Sequence, residues 1–180
     1  MNANVRTVKI GNAHVMLAGI KNLKISDSNE FMQSLRAVNS HVAIQAVNAD
    51  FVSGMAHVLN ILQQCLEAKK RGILLSKRIE IDILLRSACT NQISKALDDI
   101  GLKNGVNNVL VIAIGRMNDL KTIYNYLKSN YILNNDALTL SKKKLKLLVK
   151  LHKIGKDEIE ACTSSDKLAS VLAERANLLW

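Results

Sequence analysis

Six consecutive apolar residues, 109–114, constrain the fold of this chain more than any other segment. The run reads VLVIAI, is rich in β-branched residues, and is bounded by Asn107, Asn108 and Gly115. A strand with one face in water alternates apolar and polar residues, so an unbroken run of this length is typical of a strand covered on both faces. We therefore expect residues 109–114 to form a buried strand.

Two helical segments precede this strand. In the first, apolar residues repeat with the spacing of one helix face, namely Ile81, Leu84, Leu85 and Ala88. A second face of the same helix carries Arg78, Asp82 and Arg86 four residues apart, which predicts a charged face opposite the core. A break at residues 90–91 leads into a second helix, and Gly101 stands where that helix is expected to stop.

The rest of the pattern predicts an α/β (α+β) protein of one domain, residues 1–180. Residues 5–10 and 14–19 form a hairpin around Gly11 and Asn12, and helix-capping residues stand at Asp27 and at residues 163–166. We expect a small mixed sheet of about four strands covered by about seven helices. Beyond Gly115 the pattern weakens, and residues 116–180 are predicted to form a C-terminal extension of this domain.

Composition places the protein in a broad class. The net charge of +10 attracts polyanions and favours RNA or DNA over acidic proteins as partners, although a merely soluble basic protein has the same total. Three scattered cysteines do not suggest a disulfide framework, which indicates a reducing, cytoplasmic compartment. No apolar run approaches the roughly 18 to 20 residues that cross a bilayer, so we expect no membrane association.

The sequence offers no catalytic constellation. The four histidines lack partners at metal-ligand spacing, the glycines are dispersed singly, and no Ser, Cys or Thr stands in a nucleophile-elbow setting. We therefore predict a non-enzymatic protein with no cofactor, no metal and no small-molecule substrate of its own.

Basic residues around one loop suggest a binding site. Lys69, Lys70 and Arg71 end one predicted helix, Lys77 and Arg78 begin the next, and Arg86 lies two turns further along. Together with the free N–H groups of a helix N-terminus they would favour RNA phosphates. The alternative is that Glu67, Glu80 and Asp82 pair with these cations on a solvated surface. The few aromatic residues lie elsewhere in the sequence, which argues against base stacking of the RRM or OB kind.

A second function class comes from the same segment. Two short helices separated by a break at residues 89–91 also resemble a DNA-binding helix-turn-helix, which predicts a basic DNA-binding regulator. The second helix is a poor reader of DNA, however, because Asp98 and Asp99 would repel phosphate.

Residues 41–115 resemble the small PRPK-binding subunit family of the KEOPS (EKC) complex, especially its archaeal members. The similar segments, in order, are QAVNAD at 45–50, SGMAHVL at 53–59, RGILLSKRIEIDILL at 71–85, TNQISKAL at 90–97 and GLKNGVNNVLVIAIG at 101–115. The segment LVKLHKI at 148–154, followed by a final helix, is similar to the end of the family.

The resemblance implies a non-catalytic subunit of the complex that makes threonylcarbamoyladenosine in tRNA. Such subunits dock on and stimulate the kinase-like ATPase subunit, and archaeal members bind the 3′ CCA end of tRNA. Carried over by position, the RNA-binding residues would be Lys70, Arg71, Lys77, Arg78, Arg86, Thr90 and Gln92. The kinase-facing residues would be those of the last helix, Leu168, Val171, Leu172, Leu179 and Trp180.

Overall fold

The computed structural model describes residues 5–162 and 166–179. The backbone divides into two compact units, each built from two separate stretches of sequence. The first comprises the chain up to Ala49 together with Gly101–Ala137, and the second comprises Asp50–Ile100 together with the chain from Leu138 onward. The predicted extension beyond residue 116 is thus shared between the two units, and its assignment with the rest to one domain stays a prediction. No helix in the described ranges is both long and apolar enough to cross a membrane.

The order of elements follows the predicted pattern closely. The strands are β1 (Val5–Ile10), β2 (Ala13–Ile25), β3 (Ala43–Asn48) and β4 (Gly105–Gly115). The helices are α1 (Ser28–Ala37), α2 (Gly54–Arg71), α3 (Ile79–Ser87), α4 (Ile93–Ile100), α5 (Met117–Asn130), α6 (Lys142–His152), α7 (Lys156–Ala161) and α8 (Lys167–Asn177). Two short 3₁₀ helices, Ala49–Phe51 and Asn135–Leu138, complete the described elements. The α/β class and the four strands are confirmed, with eight helices where about seven were expected.

The sheet of the first unit has the order β1-β2-β4-β3, and every neighbouring pair in it is antiparallel. The expectation of a mixed sheet was wrong in this respect, because β4 runs opposite to both β2 and β3. The hairpin between β1 and β2 is as predicted. Gly11 has a positive φ of 56° in the two-residue turn that joins paired Ile10 and Ala13, a conformation in which glycine carries no steric cost.

Strand β4 is covered on both faces, as its apolar run predicts. Its alternate residues Val109, Val111 and Ala113 join the core formed with α1 and α5, while Leu110 and Ile112 on the other face are also buried. Helix α1 begins where the capping pattern places it, since the Asp27 carboxylate accepts hydrogen bonds from the N–H groups of Asn29 and Glu30.

The three tyrosines belong to this first unit. Tyr131 packs edge-on against both Phe31 and Tyr126, and all three tyrosines border the core beneath α1 and α5. Next to Tyr131, an isolated antiparallel bridge pairs Leu133 with Ile20 of β2. The aromatic side chains are therefore used for packing in this unit.

The second unit is a helical assembly in which α2 packs on α3 and α8, and α3 packs on α4 and α8. Its core includes Leu148 of α6 and Leu168, Val171 and Leu172 of α8. Arg175 of α8 binds both Glu158 carboxylate oxygens, each at 2.7 Å, and donates to the carbonyl oxygen of His152. The Arg175 guanidinium thus links α8 to the last residue of α6 and to the first turn of α7.

Candidate functional site

The basic loop lies between the end of α2 and the start of α3. Helix α2 ends at Gly72, whose positive φ of 71° and backbone bond to the carbonyl of Lys69 form a left-handed cap. This stop leaves Lys69, Lys70 and Arg71 exposed in the last turn, where cations are favoured by the helix dipole. Lys77 and Arg78 are exposed at the other end of the loop.

The arginines of this loop already have carboxylate partners. Arg71 Nε lies 2.6 Å from Glu67 Oε1, and Arg78 Nε lies 2.6 Å from Glu80 Oε1. The hydrogen bond from Arg71 lowers the pKa of Glu67, so this pair is charged at neutral pH. The alternative interpretation, that acids pair with these cations, is confirmed for the arginines.

The lysines differ from the arginines. Lys69, Lys70 and Lys77 make no ion pair with any described residue. The unpaired positive charge of the loop is therefore carried by these three side chains.

Arg86 is not part of any exposed face. Its side chain is 1% exposed and that of Asp82 is 0% exposed, and the two form an ion pair with 2.9 Å between Nε and Oδ2. Arg86 Nη1 also donates to the carbonyl oxygen of Ala176, and Asp82 Oδ1 accepts from the N–H of Leu75. The prediction that α3 presents an exposed charged face was wrong, because the 72–78 loop and the end of α8 enclose the Asp82–Arg86 pair.

Thr90 and Gln92 also differ in exposure. Thr90 is buried and its Oγ1 accepts from the N–H of Gln92, so it organises the turn between α3 and α4. Gln92 itself is exposed. The break between the helices comes from Cys89, which has the left-handed φ of 50° that is uncommon outside glycine. The sequence predicted a break at residues 89–91, but a cysteine gives no signal for the left-handed backbone found there.

An open cleft of about 390 Å³ lies beside the basic loop within the second unit. Its lining residues come from α2, α3, the loop that begins at Gly72, and the end of α8, and they are Gln63, Gln64, Glu67, Ala68, Arg71, Ile73, Arg86 and Asn177. Gln64 Nε2 donates to the carbonyl oxygen of Ala173, while its buried Oε1 has no partner in the described chain. The cleft thus brings together Arg71 and Arg86 of the predicted set, and adds three side-chain amides that sequence spacing did not identify.

The buried Cys65 thiol of α2 is unreactive. Burial raises the pKa of the Cys65 thiol well above its usual range, and neighbouring Asp82 raises it further. Such a thiol stays protonated and is a poor nucleophile. The described residues hold no group of His, Cys, Asp and Glu side chains that could bind a metal ion.

The last helix uses its apolar face internally. Leu168, Val171 and Leu172 are buried in the core of the second unit, so they are not available as a free docking surface, contrary to expectation. Leu179 is half-buried, and Trp180 lies outside the described residues. Exposed apolar side chains occur instead on α4, where Ile93 is 46% exposed and Leu97 is 49% exposed.

The α3–α4 pair does not have the surface of a DNA reader. Nearly all of α3 is buried, and α4 has only eight residues. On α4, Asp98 is exposed and Lys95 is bound to Asp99 at 2.7 Å. An exposed carboxylate and a neutralised lysine oppose contact with DNA phosphates.

The comparisons with known proteins agree with the resemblance seen in the sequence. A search of curated proteins finds no match to the chain. The family model described as kinase binding protein CGI-121, however, matches residues 22–176, which include most of both units. That the chain is of the archaeal type stays a prediction. With a match over this much of its length, the chain belongs to the kinase binding protein CGI-121 family.

Proposed function

We propose that this chain is a non-catalytic subunit of a KEOPS-type complex in the cytoplasm. In this role it binds the 3′ CCA end of tRNA and docks on and stimulates the kinase-like ATPase subunit, and so supports threonylcarbamoyladenosine modification. The kinase partner is supported by membership of a family described as kinase-binding. The tRNA partner is supported by the charge and by the cleft of the second unit.

The observation that carries the RNA half is the position of the cleft beside the basic loop. A volume of about 390 Å³ is at the lower end of the range typical of sites for small organic groups, such as a nucleoside. The amides of Gln63 and Asn177 can both donate to and accept from the edge of an unpaired base. Gln64 donates to the carbonyl oxygen of Ala173, which leaves its Oε1 as a further acceptor. Lys70 and Lys77 supply unpaired charge for the phosphates that follow.

This proposal revises the roles of the predicted residues. Lys70, Arg71, Lys77, Arg78 and Gln92 are exposed and can touch RNA directly. Arg86 and Thr90 are buried and act by holding the loop and the turn in place.

For the kinase half we propose α4 as the docking surface. Its buried face holds Ala96 and Ile100, whereas Ile93 and Leu97 stand four residues apart on an outer face. Exposed apolar side chains that adjoin one another on a protein surface can mark an interaction site. The apolar face of α8 cannot serve, because it is already packed inside the second unit.

Two measurements test the two halves. Binding of tRNA with and without its terminal CCA should differ sharply if the cleft holds the tRNA end, and equal affinities would exclude that role. Adding the protein to the purified kinase-like subunit should raise its rate of ATP hydrolysis. An unchanged rate together with no co-elution would exclude the docking role.

A further inference from the structure

Helix α6 carries four lysines on one face. Lys142, Lys143, Lys146 and Lys150 fall within an arc of roughly 100° at the helical repeat of 100° per residue. All four are exposed, while Leu148 and His152 on the opposite side are buried. We call these four residues the α6 lysine stripe.

The stripe is not neutralised by ion pairs with the residues that the structure describes. None of its lysines makes an ion pair across the described ranges, whereas Arg71, Arg78 and Lys95 elsewhere in the second unit each bind a carboxylate. Exposed lysines also serve solubility, but that purpose is met by scattered charges of both signs. A one-sided row of unpaired cations instead provides a surface for a polyanion.

The start of the helix supports a functional origin for the stripe. Ser141 caps α6 by accepting from the N–H of Lys144, and the first turn then contains lysines and no acidic residue. Helix α1 places Glu30 in its first turn and α5 places Asp119 there. Cations at a helix N-terminus are disfavoured by the dipole. Helix α6 therefore departs from the pattern of α1, α3, α5 and α7, which place acids in the first turn, although α2, α4 and α8 also lack an acid there. Such conflicts are expected where function overrides stability.

We propose that the α6 lysine stripe binds the phosphate backbone of duplex RNA, as found in the helical arms of tRNA. Lys142, Lys146 and Lys150 follow one another at about 6 Å along a rigid helix, which suits a regular row of phosphates. The helix contains no aromatic residue, so recognition rests on charge and shape and not on base stacking.

The geometry favours RNA over a membrane surface. A helix that lies in a membrane inserts its apolar face into the lipid. On α6, Leu148 is packed inside the second unit, and Leu145 is the one large apolar side chain of the helix that is exposed. The inference rests on the proposed function, because that function is the reason for choosing tRNA as the partner. It goes beyond that function, because binding of duplex RNA to the stripe requires no CCA end.

The test compares two triple variants of the full chain with equal net charge. The stripe variant is Lys142→Gln, Lys146→Gln and Lys150→Gln, and the control variant is Lys9→Gln, Lys121→Gln and Lys128→Gln at exposed positions of the first unit. Binding is measured over a salt series to a blunt RNA duplex and to a single-stranded oligonucleotide ending in CCA. Circular dichroism and thermal melting verify that both variants fold.

We expect the stripe variant to bind the duplex at least tenfold more weakly than the control variant. Its slope of log affinity against log salt should be shallower by about 2 to 3, as expected for the loss of three phosphate contacts. Replacing the same three lysines by arginine should retain duplex binding. Binding of the CCA oligonucleotide should be the same for both glutamine variants.

The outcomes separate the two proposals. Equal duplex binding by the two variants would overturn the stripe and leave CCA recognition standing. Loss of duplex binding in the stripe variant, with no measurable binding of the CCA oligonucleotide by the unaltered protein, would keep the stripe and overturn CCA recognition. Loss of binding to anionic phosphatidylglycerol vesicles without loss of duplex binding would assign the stripe to lipid and overturn the RNA proposal.

Discussion

Asp82 and Arg86 form a buried ion pair one turn apart on α3, with 2.9 Å between Oδ2 and Nε. The pair links three parts of the second unit, because Asp82 also accepts from the N–H of Leu75 and Arg86 also donates to the carbonyl oxygen of Ala176. The basic loop and the end of α8, which both border the cleft, are thus joined through one pair of side chains. The two charges of this pair therefore hold the walls of the cleft in position.

The first prediction concerns this pair. Arg86→Met should lower the free energy of unfolding by about 3 to 5 kcal/mol, because it leaves the Asp82 carboxylate buried without its counter-charge. Urea denaturation followed by circular dichroism measures the loss. The double variant Asp82→Leu, Arg86→Met should recover part of it, since replacing both charges removes the unpaired group.

A matched control for this prediction exists on the neighbouring helix. Arg71 and Glu67 also form an ion pair with a four-residue spacing, but both side chains are exposed. Arg71→Met should leave the unfolding curve unchanged within error, because exposed pairs contribute little. An equal loss in Arg71→Met and Arg86→Met would contradict the structural role assigned to Arg86.

The Arg86 case also explains what could be predicted from the sequence. Periodicity finds the apolar face of α3 and the strand β4, because both depend on residues close together in sequence. The burial of Arg86 depends on Ala176, which is 90 residues away, and on a loop whose path the sequence does not specify. Four-residue spacing is the same for the buried pair and for the exposed pair formed by Glu67 and Arg71.

The last helix illustrates the same limit. Leu168, Val171 and Leu172 lie three and one residues apart and form one apolar face of this helix, as helical spacing indicates. Whether such a face packs internally or binds a partner depends on what the rest of the chain supplies, here Leu148 and Ile154. The resemblance correctly pointed to a kinase-binding family. It could not show which helix face of this chain is left exposed for a partner.

The second prediction concerns the contact between β2 and the segment that follows α5. Gly19 donates to Asn135 Oδ1, and its carbonyl accepts from the N–H of Asn134 at 2.7 Å. A Cβ at position 19 would lie 2.6 Å from the carbonyl oxygen of Asn134, which is backbone and cannot rotate away. Gly19→Ala should therefore destabilise the protein by about 1 to 3 kcal/mol, measured by urea denaturation.

Gly155→Ala is the control for this substitution. A Cβ at Gly155 meets no atom within 4 Å, and its φ of −77° is ordinary for any residue. We expect a change of less than about 0.5 kcal/mol. Similar losses in the two variants would mean that the close approach at Gly19 is not the cause.

The third prediction is a loss of stability in mild acid. Burial lowers the pKa of His57 to about 4, and neighbouring His152 contributes. Burial also lowers the pKa of His152 to about 4; Arg175 and Lys95 act in the same direction, while Asp99 opposes them. The unfolded chain takes up protons at these sites below its ordinary histidine pKa of 6.5, whereas the folded protein does not until about pH 4.

The sign follows from this difference in proton uptake. Stability should be complete above about pH 6.5 and should fall as the pH drops from there toward 4, by on the order of 3 kcal/mol for each histidine. Urea denaturation between pH 7.5 and pH 5 measures the slope. His152→Leu should reduce the slope, while His41→Gln, at an exposed position, should leave it unchanged. A slope that His152→Leu does not alter would assign acid sensitivity to other groups.

The fourth prediction concerns the proposed docking surface on α4. Replacing Ile93 and Leu97 together by serine should weaken co-elution with the kinase-like subunit at least tenfold, because each removes an apolar anchor from the contact. The fold should survive, since both side chains are about half exposed. Circular dichroism confirms this, and the rate of ATP hydrolysis by the partner should fall in parallel with binding.

The control for α4 is the exposed apolar residue Leu145 on α6. Leu145→Ser removes one exposed apolar side chain from another helix, so kinase binding should be retained. Binding of the CCA-ended oligonucleotide should be unchanged in the α4 variant, since neither Ile93 nor Leu97 lines the cleft. If Leu145→Ser weakened kinase binding and the α4 variant did not, the docking surface would lie on α6 and not on α4. The kinase-like subunit and duplex RNA would then compete for the same helix.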